Sequence, residues 1–402
     1  MDPARSVLVA LVRDEGRRVL ATLVRLTGDL QLAEDAVQDA TLRALERWPR
    51  DGVPAEPRAW LTLTARRRAV DLLRRESARP AKEVLAMPVD DATEPETVRD
   101  DQLRLLFTCC HPALAHETQV ALALKVLCGL SVDEIAEALV VPPETMAKRL
   151  TRARQKIARA RIPYRVPADH ELPDRLRGVL ATVYLLFTEG DDPIGEARPA
   201  LVDEAVRLTR LLRELMPGEP SVLGLLALEL LSDARRDARR DAAGHPVLLA
   251  DQDRTRWRPD LVGEGIELVG EGLRRSPDVP DPYVVQAAIA ACHALAPTWA
   301  DTDWAAVVSW YDVLLTVAGT PVVALNRAAA VAERDGPAAG LAAVEAVVGL
   351  ERYPLWHASR AELLTRLGDR AGARRAWDAA LALPQEEGRA AQLRRRAEVC
   401  RK

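Results

Sequence analysis

Along most of the chain apolar side chains return every three or four residues, the period of a helix buried on one face. Residues 5–27 form one such stretch. Gly28 and Asp29 interrupt it, and Leu30 to Trp48 forms the next, with Leu32, Ala36, Ala40 and Leu45 as apolar contacts and Glu34, Asp35, Gln38 and Asp39 as a compact polar face. Arg50 to Pro57 contains two prolines and a glycine and reads as a loop. A helix then runs from Arg58 to Glu76, lined on one side by Leu61, Ala65, Ala69 and Leu72. Asp71 lies three or four positions from Arg67, Arg68, Arg74 and Arg75, close enough to hold several guanidiniums.

Gly129 to Arg161 predicts two helices joined by a tight turn. Ser131 and Glu134 have the spacing of a capping box, and Ile135, Ala136 and Leu139 follow at helical spacing. Val140 to Pro142 ends the first helix, and Pro143 suits the first turn of the second. There Met146, Leu150, Ala153 and Ile157 share one stripe; Thr145, Lys148, Arg152, Gln155 and Arg159 share the opposite one. From Pro143 to Arg165 there are eight Lys or Arg and one acid, Glu144. An apolar face backed by a cationic, hydrogen-bonding face suits the major groove of DNA; the alternative is a solvated surface helix.

From Leu172 onward the pattern is helix after helix, with spans predicted at 173–188, 200–216, 220–238, 259–274, 282–294, 303–317, 321–334, 337–348, 355–367, 370–383 and 386–400. Pairs of this size suggest a solenoid. Ala361, Leu364, Gly368, Ala373, Trp377, Ala380 and Pro384 form a unit similar to a tetratricopeptide repeat, and Ala328 to Leu350, with Gly336, is a weaker copy. Alternating strand patterns are nearly absent, so the fold class is all-α.

The net charge of −4 argues by itself against a nucleic-acid partner, but its distribution does not. Residues 1–170 carry 27 basic and 25 acidic side chains, and Arg58 to Arg79 holds seven Arg against Asp71 and Glu76. Such local concentration is a nucleic-acid footprint. Between these cationic helices, Glu83 to Asp101 carries seven acids and one base, Arg99, while Pro80, Pro88 and Pro95 discourage helix. The five Cys make no disulfide framework, and charges at Arg13 to Arg18 interrupt any signal peptide. No segment reaches the roughly 20 apolar residues of a membrane span. These features predict a cytoplasmic protein without a membrane partner. Cys109, Cys110, His111 and His116 invite a metal or redox reading, but adjacent cysteines diverge on a helix and no Cys-x2-Cys pair exists, so packed core is preferred and no metal or cofactor is expected.

The order of Ala33–Trp48, Trp60–Arg75 and the helix-turn-helix at Gly129–Ile157 resembles the extracytoplasmic-function sigma factors of the sigma-70 family. The resemblance implies a sigma domain 2 over residues 1–76, an acidic linker over 77–101, and a sigma domain 4 over 102–165. Asp35, Gln38 and Asp39 would bind the β′ clamp helices of RNA polymerase core, with domain 4 on the β flap. Arg58, Trp60, Arg66, Arg67, Arg68, Arg74 and Arg75 would engage the −10 element. Thr145, Lys148, Arg149, Arg152, Arg154 and Lys156 would engage the −35 element. Arg67 and Thr41 stand where members usually carry Asn and Phe. The chain also resembles the subgroup with a tetratricopeptide-like C-terminal extension, here 172–402, which implies control of sigma activity from within the chain.

Within that extension, Asp233 to Trp257 packs eleven formal charges. Arg235, Arg239, Asp251, Asp253, Arg254 and Arg256 there predict either an internal ion-pair network or a site for a ligand or regulatory protein. No nucleophile–base pair or phosphate loop accompanies them, so no enzyme is expected. The leading reading is a promoter-specificity subunit acting on promoter DNA. The other is a DNA-binding activator with a ligand- or peptide-sensing solenoid.

Overall fold

The computed structural model describes residues 3–76, 101, 104–127, 129–139, 141–160, 162, 164, 167, 171–191, 198–385 and 387–401; the acidic stretch over 77–100 lies outside them. All long elements among the described residues are α-helices, with three short 3-10 turns and one isolated bridge, Arg240 to Pro246. The chain divides into two compact units, Met1–Leu186 and Phe187–Lys402.

The first unit begins with three helices, Pro3–Thr27, Leu30–Asp51 and Pro57–Glu76. Asp29 caps the second by accepting from the Leu32 amide at 3.0 Å. Ala33, Ala36, Ala40 and Ala44 line its buried face, so neighbouring helices approach closely; Leu23, Leu61, Ala65 and Ala69 are buried in the same unit. Trp48 and Trp60 meet edge to face, with ring centroids 5.5 Å apart. Helices His116–Val126, Val132–Ala138 and Pro143–Arg159 follow. Both arms of the Ser131–Glu134 capping box are present.

The helix Leu172–Gly190 spans the division between the two units, which falls after Leu186. Its Arg175 donates to the Phe107 carbonyl at 2.6 Å, and a Cβ on Gly178 would lie 3.4 Å from Gln119. Val179, Leu180 and Val183 are buried. Asp101, the last residue of the acidic linker expected over 77–101, is 1 % exposed and pairs with Arg25 at 2.9 Å and Arg104 at 3.2 Å.

In the second unit, ten helices from Pro199–Leu215 to Glu387–Arg401 succeed one another, most of them packing on the next. Proline opens many of them, and Asp281, Asp303, Thr320 and Asp369 accept cap hydrogen bonds. At Gly224 a Cβ would meet the Val284 backbone nitrogen at 2.4 Å, so only glycine allows this crossing. The repeat-like positions Ala361, Leu364, Ala373, Trp377 and Ala380 share one core cluster. The helix predicted over 220–238 ends at Asp233 and gives way to a 3-10 turn, Arg236–Ala238.

Candidate nucleic-acid interface

The amphipathic pattern of Pro143–Arg159 is set by its core side. Met146, Leu150 and Ala153 are buried, so Thr145, Lys148, Arg152, Gln155 and Arg159, half a turn away, are exposed together with Lys156. Arg152, Gln155, Lys156 and Arg159 border a shallow depression of about 410 Å3. These groups offer an uninterrupted surface of donors at groove level.

Two of the expected DNA contacts lie elsewhere. Arg149 is half-buried and pairs with Glu117 at 3.0 Å. Arg154 reaches the second helix of the chain: its Nη2 donates to Glu34 Oε1 at 3.0 Å, and its Nε lies 2.7 Å from Oε2. Both partners are only 18 % exposed. Burial lifts the Glu34 carboxyl above its ordinary value even though Arg154 pulls it down.

On Pro57–Glu76, Arg67 and Arg74 are exposed, while Arg58, Arg66, Arg68 and Trp60 are half-buried. Arg68 forms an ion pair with Asp39. The side chain of Arg75 lies outside the described residues. Of the acidic face, Asp35 and Gln38 remain exposed. One stripe continues from them to Leu42 and Leu45, which are 50 % and 38 % exposed. Leu45, expected as an apolar contact, therefore faces outward with Leu42, and their helical spacing from Asp35 and Gln38 is the signal that joins the four to one surface.

Of the cysteine–histidine cluster, Cys109 and Cys110 are packed core, His111 is half-buried and His116 is exposed. Cys109 and Cys110 are 0 % and 1 % exposed, and burial pushes the Cys110 thiol up to about 12. The Ala113 amide donates to His111 Nδ1. No cluster of three or more metal-ligating side chains occurs among the described residues, and none of the helices described is long and apolar enough to cross a membrane.

The charged segment in the second unit does not close into the network its composition suggested. Arg239 pairs with Asp191 at 2.9 Å instead of with Asp251 or Asp253. Asp251 and Arg256 are exposed, and Asp253 caps its own turn by accepting from Thr255. Arg254 donates to the carbonyls of His293 and Ala296 and lies over Trp257, which Arg235 also approaches.

Comparison with known proteins matches residues 11–79 to Sigma-70 region 2 and residues 104–157 to Sigma-70, region 4. A protein described as ECF RNA polymerase sigma factor SigL, from Mycobacterium tuberculosis (strain ATCC 35801 / TMC 107 / Erdman), is 33% identical over 154 residues, covering 37% of this chain and 85% of that protein. The chain belongs to the extracytoplasmic-function sigma factors. Its partners are accordingly RNA polymerase core and promoter DNA. This sigma factor is also 31% identical over 160 residues to the probable ECF RNA polymerase sigma factor SigI of Mycobacterium tuberculosis (strain CDC 1551 / Oshkosh), 38% of this chain and 54% of that one. A likeness that includes the extension is to the uncharacterized protein R00370 of Rhizobium meliloti (strain 1021), 42% identical over 391 residues, 94% of this chain and 92% of that one. Residues 175–273 match a family of unknown function (DUF6596).

Proposed function

We propose that this sigma factor selects promoters with two separate helical surfaces and that its C-terminal helical domain modulates the outcome. The exposed stripe of Thr145, Lys148, Arg152, Gln155 and Arg159 carries the reading: it meets the −35 element in the major groove. The arginines of Pro57–Glu76, with Trp60 near the preceding loop, engage the −10 element. Counterion release by these cations supplies sequence-blind affinity, and the few groove-level groups supply choice. Asp35, Gln38, Leu42 and Leu45 form the surface for polymerase core, a polar and apolar mixture typical of protein interfaces.

The Glu34–Arg154 pair supports a closed arrangement of the sigma modules. Promoter elements more than one helical turn of about 34–36 Å apart demand that domain 2 and the −35 helix separate, so this pair breaks on the promoter. The C-terminal domain shifts that balance. Run-off transcription with purified core polymerase tests the whole reading. The full chain alone supports initiation from its own promoter, and a chain ending at Leu186 gives a different output from the same template. No initiation by the full chain removes the promoter assignment; equal output from both chains removes the modulation.

A further inference from the structure

The second unit contains a half-open cavity of about 290 Å3, bordered by the helices Pro220–Asp233, Pro282–Leu295, Trp304–Ala318 and Pro321–Asp335 and by Arg235 and Leu249 between the first two. That is the space of about ten waters at liquid density. Its lining mixes apolar side chains, Leu228, Ile289, Leu314 and Val323, with polar ones, Arg235, His293, Tyr311 and Asn326. A few convergent polar groups on an apolar wall are the usual make-up of a small-molecule site.

Among the described residues, arginines outnumber carboxylates close to this cavity. Arg239 and Arg254 lie close enough to Arg235 to lower it, while Asp191 raises it; Asp191, bound to Arg239, is the one carboxylate within 4 Å of any of the three among the described residues. Arg235 has none. Burial, with Arg239 and Arg254, lowers the Arg235 guanidinium to about 10, which leaves it cationic at neutral pH. His293 is held neutral, lowered to about 4 by burial and by Arg235 and Arg254, and its Nδ1 is buried with no hydrogen-bond partner among the described residues. Outside the lining, Arg254 Nη2 and Trp257 Nε1 are also buried without acceptors among the described residues. Buried donors are costly without an acceptor, and a partly buried cation is best completed by an anion. The Tyr311 hydroxyl, kept protonated by burial, is a further donor at the cavity.

We propose that this cavity binds a small organic carboxylate with an apolar body. The planar Arg235 guanidinium takes the carboxylate bidentately, the geometry in which arginine is strongest. Asn326, exposed at the rim, donates to the same head group, and the aliphatic wall covers the tail. The binding site stands whether or not its occupancy governs transcription, so binding is measured directly.

Calorimetric titration of the full chain with hexanoate, octanoate and benzoate tests it, with inorganic phosphate as the anion lacking a tail. At least one acid binds saturably at one site per chain with a Kd below about 1 mM, and phosphate binds at least tenfold more weakly. Arg235→Gln and Asn326→Asp each weaken the acid at least tenfold; circular dichroism checks that both fold. If Arg235→Gln unfolds the domain, Asn326→Asp, at an exposed position, decides alone by setting a like charge against the head group. Absence of saturable binding by all three acids, phosphate binding as tightly as they do, or wild-type affinity in the folded variants overturns the assignment.

Discussion

Lys148 and Arg152 differ from their neighbours Arg149 and Arg154 in what they touch. The first two face solvent, whereas Arg149 meets Glu117 and Arg154 meets Glu34. We expect Lys148→Ala and Arg152→Ala each to weaken a −35 duplex by about 5- to 150-fold, the equivalent of about 1–3 kcal/mol for a groove contact, with helicity unchanged. Affinity equal to wild type in a gel shift would remove these two residues from the interface. A second residue-scale prediction concerns stability. Glu229 is fully buried in the second unit, and burial raises its carboxyl well above the ordinary value of 4.5. Because the folded state holds that proton more tightly than the unfolded state, this contribution is complete below pH 4.5 and is lost as pH rises through the folded value. Glu229→Gln therefore raises the melting temperature at pH 8 by about 2–4 °C for about 1 kcal/mol, and the gain disappears towards pH 4.5. A gain that grows in acid would contradict the assignment.

At the scale of elements, the local signals were readable and the distant ones were not. The capping box at Ser131 and Glu134 and the core stripe of Met146, Leu150 and Ala153 involve residues within one or a few turns, so spacing alone exposes them. Arg154 and Glu34 are separated by 120 positions, and no periodicity announces such a pair. Charge density also misled: Asp251 and Asp253 are neighbours of Arg235 and Arg239 in sequence, but the 3-10 turns send them to solvent while Asp191 takes Arg239. The Glu34–Arg154 pair makes its own prediction. Glu34→Gln loosens the closed arrangement and raises promoter-specific transcription about fivefold at limiting core enzyme, as expected for a pair contributing about 1 kcal/mol. Unchanged transcription would show that the pair sets no balance. On the same helix, Leu42→Asp is expected to abolish capture by core polymerase in a pull-down while leaving duplex binding by the −35 helix intact.

For the whole molecule, the boundary between units matters more than the number of helices. Helical repetition beyond Leu172 was plain from the sequence, including the cluster around Trp377, but spacing cannot say which unit an amphipathic helix covers. Leu172–Gly190 contributes Arg175, Gly178 and Thr182 to the first unit. A chain cut after Glu171 should therefore melt at lower temperature than one cut after Leu186, because it uncovers Phe107 and Cys110. Equal melting curves would refute that role for the helix.

The sealed thiols of Cys109 and Cys110 have a practical corollary. With the Cys110 thiol pushed up to about 12 by burial, thiolate is scarce at pH 7, and Thr182 hydrogen-bonds to it. Alkylation at Cys110 then proceeds only through excursions that lift the covering helix. Iodoacetamide labelling, read by mass spectrometry with half-exposed Cys292 as the internal reference, becomes a stopwatch for how often the promoter-reading half of the chain breathes.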